Sequence, residues 1–305
     1  MTPTPTSSST VAVAVSARPG DAWVALDNGR FYRSDGGLFA EVPGVTLSSP
    51  RDLYVSPSGK VYALSTGRSA IACTAGDCGV ASNFVTGMTA ASVDTWSGLC
   101  GRGEDVFAFG TGLSSTGVLY QFTGGGWVKV SPNLGVLSPR SCQLGPDGEV
   151  YVAGSDGIVR YENGAFTPEP INLMGQSSAS WTSLALSIRN GVISEAFAVG
   201  GGSGYRYARR NQQTSDWASL PPDVAGSSLA VVLSFGADEF LAAGFPVSAS
   251  GPRFMAWNGA AWVPSVPQPP NSISNVRDGW ATSDRELFLV GNDTSGNYAI
   301  IRGRR

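Results

Sequence analysis

The stretch "GEVYVAGSDGIVRYENGAFT", residues 148 to 167, sets short runs of strand-forming residues between Asp-Gly and Asn-Gly pairs. It reads as strand, tight turn, strand, tight turn, strand. Branched and aromatic side chains suit a pleated surface, and Asn-Gly or Asp-Gly accepts the positive φ that a two-residue hairpin loop demands. The same order returns along the chain. The apolar residue that opens the second strand of each unit is Ala22, Val61, Val106, Val150, Ala196, Phe240 and Leu287, at spacings of 39 to 47 residues. That period is the length of a four-stranded blade. It predicts an all-β fold, a seven-bladed β-propeller of four-stranded antiparallel blades.

Each unit begins with a strand ending in a turn such as "SPSG" or "GPDG", and closes on an outer strand marked by an aromatic. Those aromatics are Phe39, Phe84, Trp127, Phe166, Trp217 and Trp262, 16 to 23 residues after their anchors. Such regularity suits wedges that fill the widening gap between blades. The blades fall near residues 11–45, 46–90, 91–134, 135–175, 176–224, 225–270 and 271–305, one domain over 11–305 behind a Thr/Pro/Ser-rich segment at 1–10. The last unit, ending "NYAIIRGRR", has no fourth strand of its own. Because unpaired strand edges invite aggregation, the segment around Thr4 to Thr10 is expected to close the ring as its outer strand. The alternative is a last blade of three strands.

Two stretches resemble known repeats. "GDAWVALDNGRFYRSDGGLFAEVPG", residues 20 to 44, is similar to a tectonin-type repeat, and "GPRFMAWNGAAWVP", residues 251 to 264, resembles the repeat of secreted bacterial propellers abundant in myxobacteria. The resemblance implies the propeller over nearly the whole chain. Through the tectonin relatives it also implies binding of surface glycans.

Composition narrows the function classes. The net charge of −3 and scattered basic residues leave no nucleic-acid footprint and no polybasic membrane patch. Histidine is absent altogether, which removes the Ser-His-Asp triad and the commonest metal ligand. Apolar runs such as "VAVAV" fall far short of a membrane helix, for which roughly 20 residues are needed. "MTPTPTSSST" resembles the spacer behind a signal peptide, so the expectation is an exported, extracellular or periplasmic protein whose signal peptide is not part of this sequence. Cys73 and Cys78 flank "TAGD", a spacing at which hairpin ends come within disulfide reach. Cys100 and Cys142 sit on the first strands of neighbouring blades. They lie six and eight residues before their anchors, an even difference that puts both on one sheet face unless a bulge intervenes. That second bridge stays open.

In a propeller most strand side chains face neighbouring blades, so ligands meet loops and the tips of the innermost strands. Counting ten residues back from each anchor reaches Ala12, Arg51, Trp96, Arg140, Leu186, Ala230 and Arg277. Arg51, Trp96, Arg140 and Arg277 are therefore expected to share one mouth of the central channel, with Trp181 and Trp280 as further candidates. Arginine offers planar paired donors to carboxylate, sulfate or phosphate, and tryptophan offers a face to a sugar. The plainer reading makes these rim residues solvated or ion-paired with the adjacent Asp52 and Asp278. Glycine-rich stretches such as "GFPVSASG" precede no helix, so no phosphate cradle is supported. The acidic turns "GPDGE" and "GNDTSGN" lack the alternating spacing of a dedicated calcium loop, leaving calcium a weak expectation and no cofactor otherwise. The expected function is a non-catalytic exported module that binds a surface glycan or protein through one rim. The alternative is a docking subunit of an extracellular assembly. Least favoured is a histidine-free propeller lyase or hydrolase, which two facing acids in the channel mouth would revive.

Overall fold

The computed structural model describes residues 10 to 304 apart from 91–93, 113–114, 132, 173–179, 202–205, 213–215, 221–226, 237, 247–252, 266–272 and 294. Of the expected N-terminal closing segment, all but Thr10 lies outside the described residues. Seven antiparallel sheets follow one another, each ordered from inner to outer strand in chain order. Their innermost strands are Ala12–Arg18, Pro50–Val55, Thr95–Arg102, Ser141–Leu144, Ser180–Arg189, Ser227–Gly236 and Ile273–Ala281. Six sheets have at least four strands. Ile171–Asn172 adds a fifth, parallel to Trp217–Leu220, on the outer edge of blade 5, and among the described residues blade 7 has three. The second turn of the opening stretch is the one its residues ask for: Asn163 and Gly164 carry φ of 51° and 81°, the pair of positive values that matches strand twist in a two-residue loop. The first differs, since Asp156 and Gly157 take no positive φ and lie in a four-residue loop between Ala153 and Ile158.

Seven apolar clusters sit between successive blades, and one of them joins the two ends of the chain. There Ala12, Val15, Val24 and Leu26 of blade 1 meet Phe288, Val290 and Tyr298 of blade 7. The ring is closed by burial of side chains, the dominant favourable force available to it. The outer-strand aromatics act as wedges against the preceding blade. Phe84 meets Trp23 at 6.2 Å, Trp127 meets Tyr62 at 6.5 Å, and Trp262 meets Phe197 at 4.9 Å. Phe39, in the same role across the closing seam, meets Phe288 edge-on at 6.4 Å. Phe166 and Trp217 pack into the corresponding clusters of blades 3 and 4 and of blades 4 and 5.

A second repeated device explains many arginines. An acid near the start of a second strand pairs with an arginine on the third, and that arginine lies over an aromatic ring. Arg33 pairs with Asp21 (2.9 Å) over Trp23, Arg302 with Glu286 (2.6 Å) over Phe288, and Arg209 with Glu195 over Trp257. A planar guanidinium can serve a carboxylate along its edge and a ring on its face. These arginines belong to the scaffold.

Both cysteine pairs are bridged, Cys73–Cys78 and Cys100–Cys142, with Cα separations of 5.7 and 5.5 Å. The second corrects the parity expectation from anchor counting. The hairpin of blade 3 pairs Gly101 with Val106, whereas that of blade 4 pairs Leu144 with Val150, one residue further round the loop. One extra loop residue shifts the inner strand's register by one and turns every side chain to the other face. Cys100 and Cys142 therefore face each other across the blade 3 to blade 4 interface.

Candidate functional site

An innermost strand presents one edge of unpaired backbone N–H and C=O groups to the central channel, and those groups need partners. A ring of β-bulges runs along this edge. In the pairing of inner with second strands, the ladder skips Val13, Arg51, Ser97, Thr182, Ala230 and Arg277. In blade 4, Arg140 and Ser141 both stand opposite Ala153, which places Arg140 at the same point. A bulge re-aims its residue. All seven bulged residues line the channel, a cavity of about 1120 Å³.

Arg51, Arg140 and Arg277 thus occupy equivalent places, as the count from the anchors predicts, and all three are exposed to the channel. Three other counted positions are corrected. Ala12 and Trp96 fall one residue before the bulge of their strands and Leu186 four residues after it, because bulges and hairpin lengths vary between blades. Trp96 is 3% exposed, donates its indole N–H to the Arg68 carbonyl at 2.8 Å and meets Tyr120 edge-on at 4.8 Å. Its neighbour Ser97 takes the channel position. Trp181 is fully buried between blades 4 and 5. Trp280 lines the channel, half-buried, with its ring 5.8 Å from that of Tyr54.

The residue after the bulge carries a second layer of order. Its side-chain oxygen accepts an N–H from the inner strand of the next blade. Asp278 accepts from Val15 (2.9 Å), Asp52 from Leu99 (2.7 Å), Ser141 from Leu184 (3.1 Å) and Ser183 from Val232 (3.1 Å). Between blades 3 and 4 that position is Gly98, and the Cys100–Cys142 bridge makes the link instead. Blades 6 and 1 offer only Val231 and Ala14 there. The Asp residues of the blades that follow cover the shortfall: the other oxygen of Asp278 accepts from Gly279 (2.8 Å), and that of Asp52 from Leu53 (2.8 Å). Each carboxylate thus serves two strands, with one oxygen turned to each.

Burial raises both of these carboxyls. Loss of solvation, then the charge of Asp278, pushes Asp52 up to about 8 against the pull of its backbone donors and Arg51. Burial pushes Asp278 up to about 6, opposed by the N–H groups of Val15 and Gly279 and by Arg51. The adjacent arginines are not their ion-pair partners within 4 Å among the described residues. Arg51 donates from Nε to the Ser97 carbonyl at 3.1 Å, and Arg277 to Asn292 Oδ1 at 3.3 Å. Sequence reasoning found the arginines by the count back from each strand anchor. It noted the aspartates only as neighbours, since nothing local marks a residue whose partner is on another blade. In the acidic turn "GNDTSGN", Asp293 Oδ1 accepts the N–H groups of Ser295 and Asn297, as a turn does. Among the described residues no group of three His, Cys, Asp or Glu side chains is placed to hold a metal ion, and no helix is long and apolar enough to cross a membrane.

No protein-family model matches the chain, and no curated protein matches it in sequence. Solved structures share its architecture. One titled "YCF48 bound to D1 peptide" is 15% identical with a TM-score of 0.68, over 96% of this chain and 93% of that one. YCF48 from Cyanidioschyzon merolae is 13% identical with the same score, over 98% and 97%. An extracellular domain of a hybrid two component system from B. thetaiotaomicron is 13% identical with a TM-score of 0.66, over 95% of this chain but 38% of that one. Likeness at these identities establishes one thing about the chain, its seven-bladed β-propeller fold.

Proposed function

We propose that the protein is a non-catalytic, exported binding module that receives an acidic segment of a partner protein at the arginine-bearing mouth of its channel. One observation carries the reading. Arg51, Arg140 and Arg277 stand at equivalent bulges around a single cavity, and none forms an ion pair among the described residues. Guanidinium groups without a carboxylate partner are free to give charge-assisted hydrogen bonds to one that arrives. Two observations favour a protein partner over a glycan. A stacked sugar needs an open aromatic face, whereas Trp96 and Trp181 are buried and Trp280 is pressed against Tyr54. A neighbour of the same architecture is titled as bound to a peptide. Two disulfides suit an oxidising compartment.

A catalytic reading would take its acids from Asp52 and Asp278, but all four of their oxygens already accept backbone N–H groups. The test is titration with an N-acetylated hexaglutamate peptide at low salt. Wild-type protein should bind it, and each of Arg51→Ala, Arg140→Ala and Arg277→Ala should weaken binding by about tenfold, the cost of a lost charge-assisted hydrogen bond. An unbound peptide, or a triple variant that binds as well as wild type, overturns the reading.

A further inference from the structure

Among the described residues, six charged side chains line the channel: Asp27, Arg51, Asp52, Arg140, Arg277 and Asp278. Were all of them ionised, their charges would cancel and the cavity would hold no net attraction for an anion. Three features set two of the acids apart. Asp52 and Asp278 occupy the same level of the ring, one residue past the bulge, on blades 2 and 7. The intervening blade offers only Ala14 at that level, so no side chain from that position separates them, and the charge of one bears on the other. Each carboxyl is fixed by two backbone N–H groups on two strands and cannot swing away to relieve the repulsion. The third acid differs, since Asp27 is exposed at the turn following the second strand of blade 1, where Oδ1 accepts the Val11 N–H at 3.0 Å.

We propose that an anion entering the channel is taken up together with a proton, which the Asp52–Asp278 pair receives from solvent and holds. The inference rests on the binding reading above and adds its regulation. The charged groups facing the pair are Arg51 on its own strand and Arg277 beside Asp278, with Arg140 across the cavity and Asp27 at the rim. The strands flanking the pair, Ala12–Arg18 and Thr95–Arg102, add no charged side chain to the channel lining. Without a ligand, Arg51 favours the ionised form of both acids. When an incoming carboxylate engages that guanidinium, its support for the aspartates is divided and a new negative charge stands near them. Protonation of a carboxylate oxygen relieves both. By reciprocity, acidification must then strengthen anion binding by the same free energy.

The chain is suited to reveal this, because few of its side chains titrate near neutrality. It contains no histidine, and all four cysteines are in disulfides. Glu195, also raised by burial, pairs with Arg209 and does not line the channel.

The experiment is isothermal titration of the full chain with N-acetylated hexaglutamate, whose carboxyls stay ionised above pH 6. It is run between pH 6 and 8 in two cationic buffers of different ionisation enthalpy. Wild type should show a buffer-dependent heat corresponding to uptake of up to one proton, with affinity rising by up to about tenfold for each pH unit lowered. The Asp52→Asn/Asp278→Asn variant, checked for folding by circular dichroism, should bind without proton uptake and with a flat pH profile. Binding by wild type with equal heats in both buffers and one affinity at pH 6 and pH 8 overturns the proton coupling and leaves the binding reading intact. Uptake that persists in the folded double variant also overturns it, because the proton then sits elsewhere. Absence of binding at every pH overturns both readings. Should the double variant fail to fold, the wild-type heats decide alone.

Discussion

Asp52 and Asp278 each join two strands that would otherwise expose unpaired N–H groups, and they do so as carboxyls raised by burial. The consequence for stability follows from proton counting. An unfolded aspartate has a pKa near 3.9, while the folded values lie higher, at about 8 and about 6. Between those limits the folded chain binds more protons than the unfolded one, so stability falls as pH rises from about 4 to about 8. Thermal melts should therefore show a Tm several degrees higher at pH 5 than at pH 8, and Asp278→Asn should flatten that slope. A profile that rises over this range would contradict the assignment. Gly98 is the complement of Asp52. A Cβ there would lie 2.5 Å from Phe109 Cζ and 2.8 Å from Asp52 Oδ2. Gly98→Ala should cost on the order of 2 kcal/mol in urea unfolding, by overpacking and by pushing the carboxylate off the Leu99 N–H. Neither role was legible locally. Asp52 reads as a plain polar residue after arginine, and its meaning depends on a glycine 46 positions away.

At the scale of elements, strands and hairpin turns were legible while registers were not. Asn163-Gly164 and Asn190-Gly191 announce two-residue loops, and both pairs take positive φ. The bulges leave no comparable mark, because an extra residue in a strand has the same composition as its neighbours. Trp96 and Ser97 show the result: one place along the strand separates an interblade core residue from a channel residue. Loop length had the same effect on Cys100 and Cys142, where a single residue decided whether the thiols could meet. The bridge closes a span of 42 residues and joins two blades that lack the side-chain link found elsewhere in the ring. Loop-closure entropy for such a span is about 4 kcal/mol. The Cys100→Ala/Cys142→Ala variant should lose a sizeable part of that stability in denaturant unfolding, and more than Cys73→Ala/Cys78→Ala, whose span is 5. Equal losses would show that the bridge between blades carries no special weight.

For the whole molecule, closure is the governing requirement, since every blade buries its two faces against its neighbours and none has a complete core alone. The cluster joining blade 7 to blade 1 is as apolar as those between sequential blades. Side-chain packing there, together with the Val15 N–H bond to Asp278 and an Arg302 bond to the Gly36 carbonyl (2.7 Å), ties the ends of the chain. The third strand of blade 7, Tyr298–Arg304, has no outer partner among the described residues. If residues 1 to 9 supply it, their deletion should lower the Tm by several degrees, and an unchanged melt would show that packing alone closes the ring. The sequence by itself determined the number of units, their strand order and the wedge aromatics, because these depend on local propensity and on a period that repeats within the chain. Only the tertiary structure decided which side chains face the channel, which thiols meet and which two blades use a carboxylate to serve two strands. Those outcomes depend on bulges, loop lengths and contacts between blades, and a hydrogen bond from one blade to the next has no signature in either blade's own residues.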